Sequence, residues 1–203
     1  MPYKEKVISY MDKISKEAVA IKSVNTILNS QNKLIGFNTD FDSVIWALKK
    51  LHLSKNTKVL LLGFGGMAKT FLEGLRKINL QDVYIATRKP LKSKILNIIK
   101  WKHRHDIDPD LLINATPIGM KNTKSEMIIN LNKQKNLKYL IDVVSNPTNT
   151  KITQKAIKKK IVTIKGVELA LMQAKRQFEI YTNRTAPIEI MKKKLLNLNK
   201  YEK

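Results

Sequence analysis

The stretch Leu62-Gly63-Phe64-Gly65-Gly66-Met67-Ala68 has the clearest chemical consequence in this sequence. A short apolar run ending at Leu62 precedes it, and a helical periodicity follows, so the glycines fall where a strand passes into a helix. In that context Gly63 permits a tight turn, and Gly65 lets backbone approach a pyrophosphate. Ala68, the third small position, lets the helix pack close to the strand. Phe64, Gly66 and Met67 complete the turn. The free N–H groups at the helix N-terminus then suit phosphates. The pattern points to a dinucleotide, and the alternative is a plain glycine-rich turn in an α/β protein.

The next strand bears on which dinucleotide. NAD binders usually carry Asp or Glu about 20 residues after the glycines, to hold the ribose 2′-hydroxyl. Here the strand ends in Thr87-Arg88-Lys89, without a carboxylate and with two cations. Cations there neutralise a 2′-phosphate, and Arg can bind one bidentately. NADP is therefore the cofactor read from the residues. The alternative, that Arg88 and Lys89 are two more solvated cations on a basic chain, stays open.

Other residues have chemistry to offer and a plainer role beside it. Asn25 carries donors and acceptors that suit a polar ligand, yet also reads as a turn residue at a strand start. Asp40 can act as a ligand or, like Thr39, as the N-cap of the following helix. Gln173 lies among Leu169, Ala170, Leu171 and Met172, where an amide needs partners, either a substrate or a core hydrogen bond. Thr116 and Val143 stand at the carboxyl ends of their strands, where open α/β sheets bind ligands. His52, His103 and His105 lack the carboxylate spacing of a metal site and read as surface residues, so no metal is expected. Taken by type alone, Lys4 is one lysine among many.

These residues need positioning elements. The pattern predicts short helices over Lys4–Met11 and Ser15–Ile21. Two apolar runs follow, Val24–Leu28 and Leu34–Phe37, as a hairpin or strand pair, then a helix over Asp40–Leu51. Strands are predicted at Lys58–Leu62, Val83–Ala86, Leu111–Asn114, Tyr139–Val144 and Val162–Ile164. Helices at Ala68–Ile78, Leu91–Ile99 and Thr150–Lys160 alternate with them. Such alternation implies a parallel sheet with crossover helices. Helices over Val167–Thr182 and Ile188–Leu198 close the chain. Residues 1–44 read as part of one domain, 45–165 as a Rossmann-like domain, and 166–203 as helices returning to the first.

Composition limits the function. The 203 residues, 43% hydrophobic, suit one large or two small globular domains. No apolar run is long enough to span a bilayer, and the N-terminus does not read as a signal peptide. With no cysteine, disulfides and thiol chemistry are excluded, and the cytoplasm is the expected location. The net charge of +23 invites a nucleic-acid reading, but only five arginines stand among the 39 basic residues. Nucleic-acid readers rely on Arg for bidentate contacts. Lysines spread along the whole chain, without aromatic platforms, read as solvated surface, and no specific nucleic acid or membrane partner is expected.

Five stretches, with the glycine turn, carry a resemblance to the shikimate dehydrogenase family along nearly the whole chain. Pro2-Tyr3-Lys4-Glu5 resembles the motif around the family's catalytic lysine. Ser23-Val24-Asn25-Thr26 resembles its substrate-contacting asparagine motif, and Gly36-Phe37-Asn38-Thr39-Asp40 its aspartate motif. Asn114-Ala115-Thr116-Pro117-Ile118-Gly119-Met120 resembles the segment after a central strand. Gly166, Gln173 and Phe178 resemble the closing glycine–glutamine helix. Met1-Pro2 ahead of Lys4, Gly66-Met67-Ala68-Lys69 and Ile180-Tyr181-Thr182 are most similar to its shikimate-dehydrogenase-like branch.

The resemblance implies an α/β protein with a Rossmann-like NADP-binding domain, here beside an incomplete α/β substrate-binding domain. It implies reversible hydride transfer between NADPH and 3-dehydroshikimate, giving shikimate for chorismate and aromatic amino-acid biosynthesis. Lys4 and Asp40 are implied as the catalytic pair, and Asn25, Asp40 and Gln173 as substrate contacts. Thr116 and Val143 are implied to line the cofactor cleft, and Gly166 to let the nicotinamide approach.

Two departures accompany the resemblance. The family begins well before its catalytic lysine, so the chain reads as truncated or as starting at an internal methionine, with exposed sheet edges in the substrate domain. An inactive NADP-binding remnant is the reading this favours as an alternative. In Asp142-Val143-Val144-Ser145-Asn146-Pro147, Ser145 stands where the family usually has a substrate-holding tyrosine. That leaves quinate or another polyol acid as alternative substrates. Leu169 replaces a common methionine, a mild apolar change.

Overall fold

Two short apolar runs joined by a polar turn become a hairpin at the start of the chain. The computed structural model describes residues 3–88, 96–121, 123 and 127–198. Its chain divides into two compact units, Met1–Trp46 with Ala170–Lys203, and Ala47–Leu169.

In the first unit, a 3-10 turn over Lys6–Tyr10 stands where a helix over Lys4–Met11 is predicted, and none of its residues is buried. With no residue fully buried, packing adds little to stabilise an α-helix so short. Strand β1 (Lys13–Ile14) and helix α1 (Lys16–Ile21) follow. Ser15 caps α1 by accepting a hydrogen bond from the Ala18 N–H at 3.3 Å. Strands β2 (Thr26–Ser30) and β3 (Lys33–Phe37) are antiparallel. The two residues between them, Gln31 and Asn32, both have positive φ, of 51° and 58°, as a two-residue hairpin turn requires. β1 pairs parallel to β3, giving the order β1-β3-β2. Helix α2 (Thr39–Lys50) begins next, and Ala18, Ile21, Val24, Phe41 and Val44 are buried.

The second unit is built on parallel strands β4 (Val59–Leu62), β5 (Val83–Thr87), β6 (Asn97–Lys100), β7 (Leu111–Asn114), β8 (Tyr139–Asp142) and β9 (Val162–Ile164). Their order is β6-β5-β4-β7-β8-β9. The strands run outward in both directions from β4 and β7, the arrangement of a doubly wound dinucleotide-binding sheet. Every residue of β4 and β7 is buried, as expected for central strands covered on both faces. Leu60, Leu62, Leu112 and Leu140 pack on one face with Ile128, Ile129, Leu131 and Ile152. Each such side chain contributes about 1.5–3 kcal/mol by leaving water. Helix α3 (Gly66–Lys77) follows β4, and α4 (Lys151–Lys158) follows β8.

Several elements differ from the sequence pattern in kind or in bounds, β2 (Thr26–Ser30, against Val24–Leu28) and α4 (Lys151–Lys158, against Thr150–Lys160) among them. Within the helix predicted over Leu91–Ile99, residues 91–95 lie outside the described residues, and Asn97–Lys100 is a strand paired with Tyr84–Thr87. The β-branched pair Ile98-Ile99 suits a strand, and the open edge of β5 supplies its hydrogen bonds. β8 stops at Asp142, because the Asp142 carboxylate takes the Val144 N–H at 3.2 Å and turns the chain. α3 starts at Gly66, with Gly65 as its N-cap. Helices α5 (Gly166–Thr182) and α6 (Ile188–Leu198) close the chain.

Candidate active site

Three residues singled out in the sequence come together in the first unit. Lys4 lies in the turn at residues 3–5, and its carbonyl accepts the Val24 N–H at 2.9 Å, which ties it beside Asn25. Its ammonium Nζ donates to Oδ2 of Asp40 at 2.7 Å, with the two side chains 30% and 11% exposed. Asp40 sits in the first turn of α2, where the helix dipole favours a carboxylate. It does not cap the helix, and neither does Thr39. Asn38 does, its Oδ1 accepting the Phe41 N–H at 3.2 Å while its Nδ2 donates to the Ser23 carbonyl at 2.9 Å. With capping left to Asn38, the Asp40 carboxylate is available to Lys4.

Asn25 is held with one half of its amide used. Its Oδ1 accepts the Thr39 N–H at 2.9 Å, and the Thr26 and Thr39 hydroxyls at 2.8 and 3.1 Å. Its Nδ2 is buried and has no hydrogen-bond partner among the described residues. A buried unpaired donor costs about 1–3 kcal/mol, and a ligand oxygen would relieve that cost. Only the donor half of the Asn25 amide is therefore open to a ligand. Gln173, on α5, is half-buried and makes no side-chain hydrogen bond among the described residues. One turn later, Gln177 Nε2 donates to the Thr26 hydroxyl at 3.2 Å. The sequence does not single out Gln177, and it shows Thr26 and Asn38 only as members of their motifs. The spacing of Gln177 four residues after Gln173 was the one available signal for it.

The second unit assembles its own site at the carboxyl ends of β4, β5, β7 and β8. Gly63 has φ +101°, and a Cβ there would lie 3.0 Å from the Ala115 carbonyl oxygen. Its position therefore excludes a side chain on two counts. Over Gly65 and Gly66, by contrast, an added Cβ would meet nothing within 4 Å among the described residues. Gly65 caps α3 without a side-chain hydrogen bond. An open cradle over a helix N-terminus whose glycine cap has no side chain, at the switch point between β4 and β7, fits the phosphates of a dinucleotide. Phe64, Met67 and the buried Ala68 complete this turn.

Thr87 ends β5 in a buried position, and the exposed Arg88 follows it. Lys89 lies outside the described residues. Thr116 is half-buried, and its hydroxyl is committed within its own loop, donating to Asn114 Oδ1 at 2.7 Å and accepting the Ile118 N–H at 3.2 Å. Val143 is half-buried, its N–H donating to the Asn114 carbonyl at 3.0 Å. Gly166 meets a tighter constraint than the sequence suggested, since a Cβ would fall 2.3 Å from the carbonyl oxygen of Val144. The packing of α5's start against the Val143–Val144 backbone already demands glycine there.

Asn114 and Asp142 knit the two loops. Asn114 Nδ2 donates to Asp142 Oδ1 at 2.9 Å, and Thr150 donates its hydroxyl to Asp142 Oδ2 at 2.6 Å. Burial raises the Asp142 pKa, against the opposing pull of these hydrogen bonds. Ser145 is exposed just beyond. Among the described residues, no group of three His, Cys, Asp or Glu could hold a metal, and no helix is long and apolar enough to cross a membrane.

No protein-family model matches the chain. It is 36% identical over 189 residues to shikimate dehydrogenase (NADP(+)) of Pelagibacter ubique, covering 89% of this chain and 70% of that protein. It is 33% identical over 197 residues to a shikimate dehydrogenase-like protein of Haemophilus influenzae, covering 94% of this chain and 73% of that protein. Among solved structures, shikimate 5-dehydrogenase of Thermus thermophilus in complex with NADP(H) and shikimate matches with a TM-score of 0.82 at 25% identity, over 97% of this chain and 76% of that chain.

Proposed function

This chain belongs to the shikimate dehydrogenase family, and from that premise we propose that it is an NADP-dependent oxidoreductase interconverting 3-dehydroshikimate and shikimate. The observation that carries the reading is the Lys4–Asp40 pair at 2.7 Å, tied through Val24 and Thr39 to an Asn25 amide with a free donor.

The glycine turn from Gly63 to Ala68 holds the pyrophosphate, and Arg88, with Lys89 beside it in sequence, meets the 2′-phosphate. Thr116 and Val143 shape the loops that line the cofactor's place, and Gly166 keeps the Val143–Val144 backbone there. When bound, NADPH supplies the hydride. Reducing the ketone also needs one proton on the oxygen that becomes the hydroxyl. Lys4 Nζ is the group that gives that proton, and takes it back in the oxidative direction. Asp40 orients the ammonium through Oδ2 and accepts from a substrate hydroxyl. Asn25 Nδ2 and Gln173 bind the polar edge of the substrate. A small-molecule reaction of this kind agrees with the cytoplasmic location expected from the sequence, and with reading the lysines as solvated surface.

The test is absorbance of NADPH as the protein is mixed with NADP and shikimate, with quinate alongside. Formation of NADPH with shikimate supports the reading. Cofactor binding without turnover of any polyol acid would favour the remnant.

A further inference from the structure

Thr26 is buried at 1% exposure, and its hydroxyl has a single hydrogen to give. Two acceptors lie within its reach, Asn25 Oδ1 at 2.8 Å and Thr39 Oγ1 at 3.2 Å. Gln177 Nε2 donates into the Thr26 oxygen at 3.2 Å, across 151 positions of sequence. We propose that Gln177 is a positioning residue for the substrate site, holding the Asn25 amide through the Thr26 hydroxyl so that its NH2 group stays free. Naming that NH2 group as a substrate donor rests on the function proposed above.

The argument is one of donor counting. With Gln177 donating to Thr26, the Thr26 oxygen has no need of the Thr39 hydroxyl as a donor. Both threonine hydrogens can then converge on Asn25 Oδ1, beside the Thr39 N–H at 2.9 Å. Without Gln177, the Thr39 hydroxyl turns to the Thr26 oxygen, and Asn25 Oδ1 loses one of its three donors. The amide is then less firmly held against rotation of its NH2 group. Gln177 also stands one turn after Gln173 on the same face of α5. The same hydrogen bond therefore sets that face of α5 against β2, the strand next to Asn25.

The test is the side-chain NH2 resonance pair of Asn25 in the ¹⁵N-labelled protein, identified by its loss in Asn25→Asp. It is compared with Gln177→Met, which keeps length and removes the donor. We expect the pair to shift and exchange faster with solvent, and the KM for shikimate to rise about three- to tenfold, the loss of one hydrogen bond. The kcat and the KM for NADP should stay within about twofold by the same measure. Thr26→Val, which removes the relay from the other side, should reproduce both effects, and the double variant should exceed neither single. An Asn25 pair unmoved in both variants overturns the inference, as does a fall in kcat with the KM for shikimate unchanged. A wild-type protein that neither binds nor oxidises shikimate would sink the proposed function instead, and the Asn25 pair alone would then decide this inference.

Discussion

Lys4 and Asp40 are 36 positions apart in sequence, and their side chains meet at 2.7 Å in a partly buried ion pair. Removing either partner separates chemistry from stability. Lys4→Met is expected to lower kcat by about 10²–10⁴, the usual worth of a positioned acid–base group, while the KM for NADP is unchanged. Asp40→Asn should also lower activity, with a stability loss of only about 1 kcal/mol, because Lys4 keeps some contact with water. Steady-state kinetics and a urea titration on both variants check this. A Lys4→Met enzyme with wild-type kcat would remove Lys4 from the reaction.

Arg88 should decide between the two nicotinamide cofactors. It follows β5 at the carboxyl edge of the sheet and is exposed. Arg88→Ala is expected to raise the KM for NADP about 10- to 100-fold, by loss of a charge-assisted phosphate contact, and to leave that for NAD nearly unchanged. Equal effects on both cofactors would place Arg88 away from the 2′-phosphate.

The glycines should divide by what surrounds them. A Cβ on Gly65 meets nothing within 4 Å among the described residues, whereas one on Gly166 would lie 2.3 Å from the Val144 carbonyl. Gly166→Ala should therefore destabilise the fold by about 2–3 kcal/mol through overpacking. Gly65→Ala should leave thermal stability unchanged and weaken NADP binding, read by calorimetry. A Gly65→Ala protein that unfolds early would mean the turn is there for packing.

Asp142 gives a pH signature. Burial raises its folded pKa above the ordinary 3.8. The folded state thus holds that proton more tightly than the unfolded chain. Its contribution to stability is full below 3.8 and is lost as pH rises through the raised folded value. Asp142→Asn lacks this titration. Relative to wild type, the variant's Tm should be more favourable at about pH 8 than at about pH 4. The same difference at both pH values would contradict the assignment.

Much of this was legible in the sequence because single local signals carried it. The apolar runs of β4 and β7 read as strands, and the strand–glycine–helix pattern reads as the turn from β4 into α3. Lys4, Asn25 and Asp40 were legible only through their motifs, since no property of an isolated lysine marks it. What was missed depends on distant partners. Lys13–Ile14 is too short to read as a strand and exists by pairing with β3. Asn97–Lys100 has a pattern compatible with a helix until β5 offers its edge. Asn38 outcompetes Thr39 and Asp40 for the cap because its amide also reaches the Ser23 carbonyl. Gly166 was read for a ligand, while its nearest demand is the Val144 backbone. Gln177 touches a residue 151 positions away, a relation no local periodicity contains.

The most direct test of the central claim is the rise of NADPH absorbance when the 203-residue protein meets NADP and shikimate, run beside Lys4→Met. The account predicts turnover by the wild type that is lost in the variant while NADP binding is kept. NADP binding with no shikimate oxidation by the wild type, or oxidation undiminished in Lys4→Met, would contradict it.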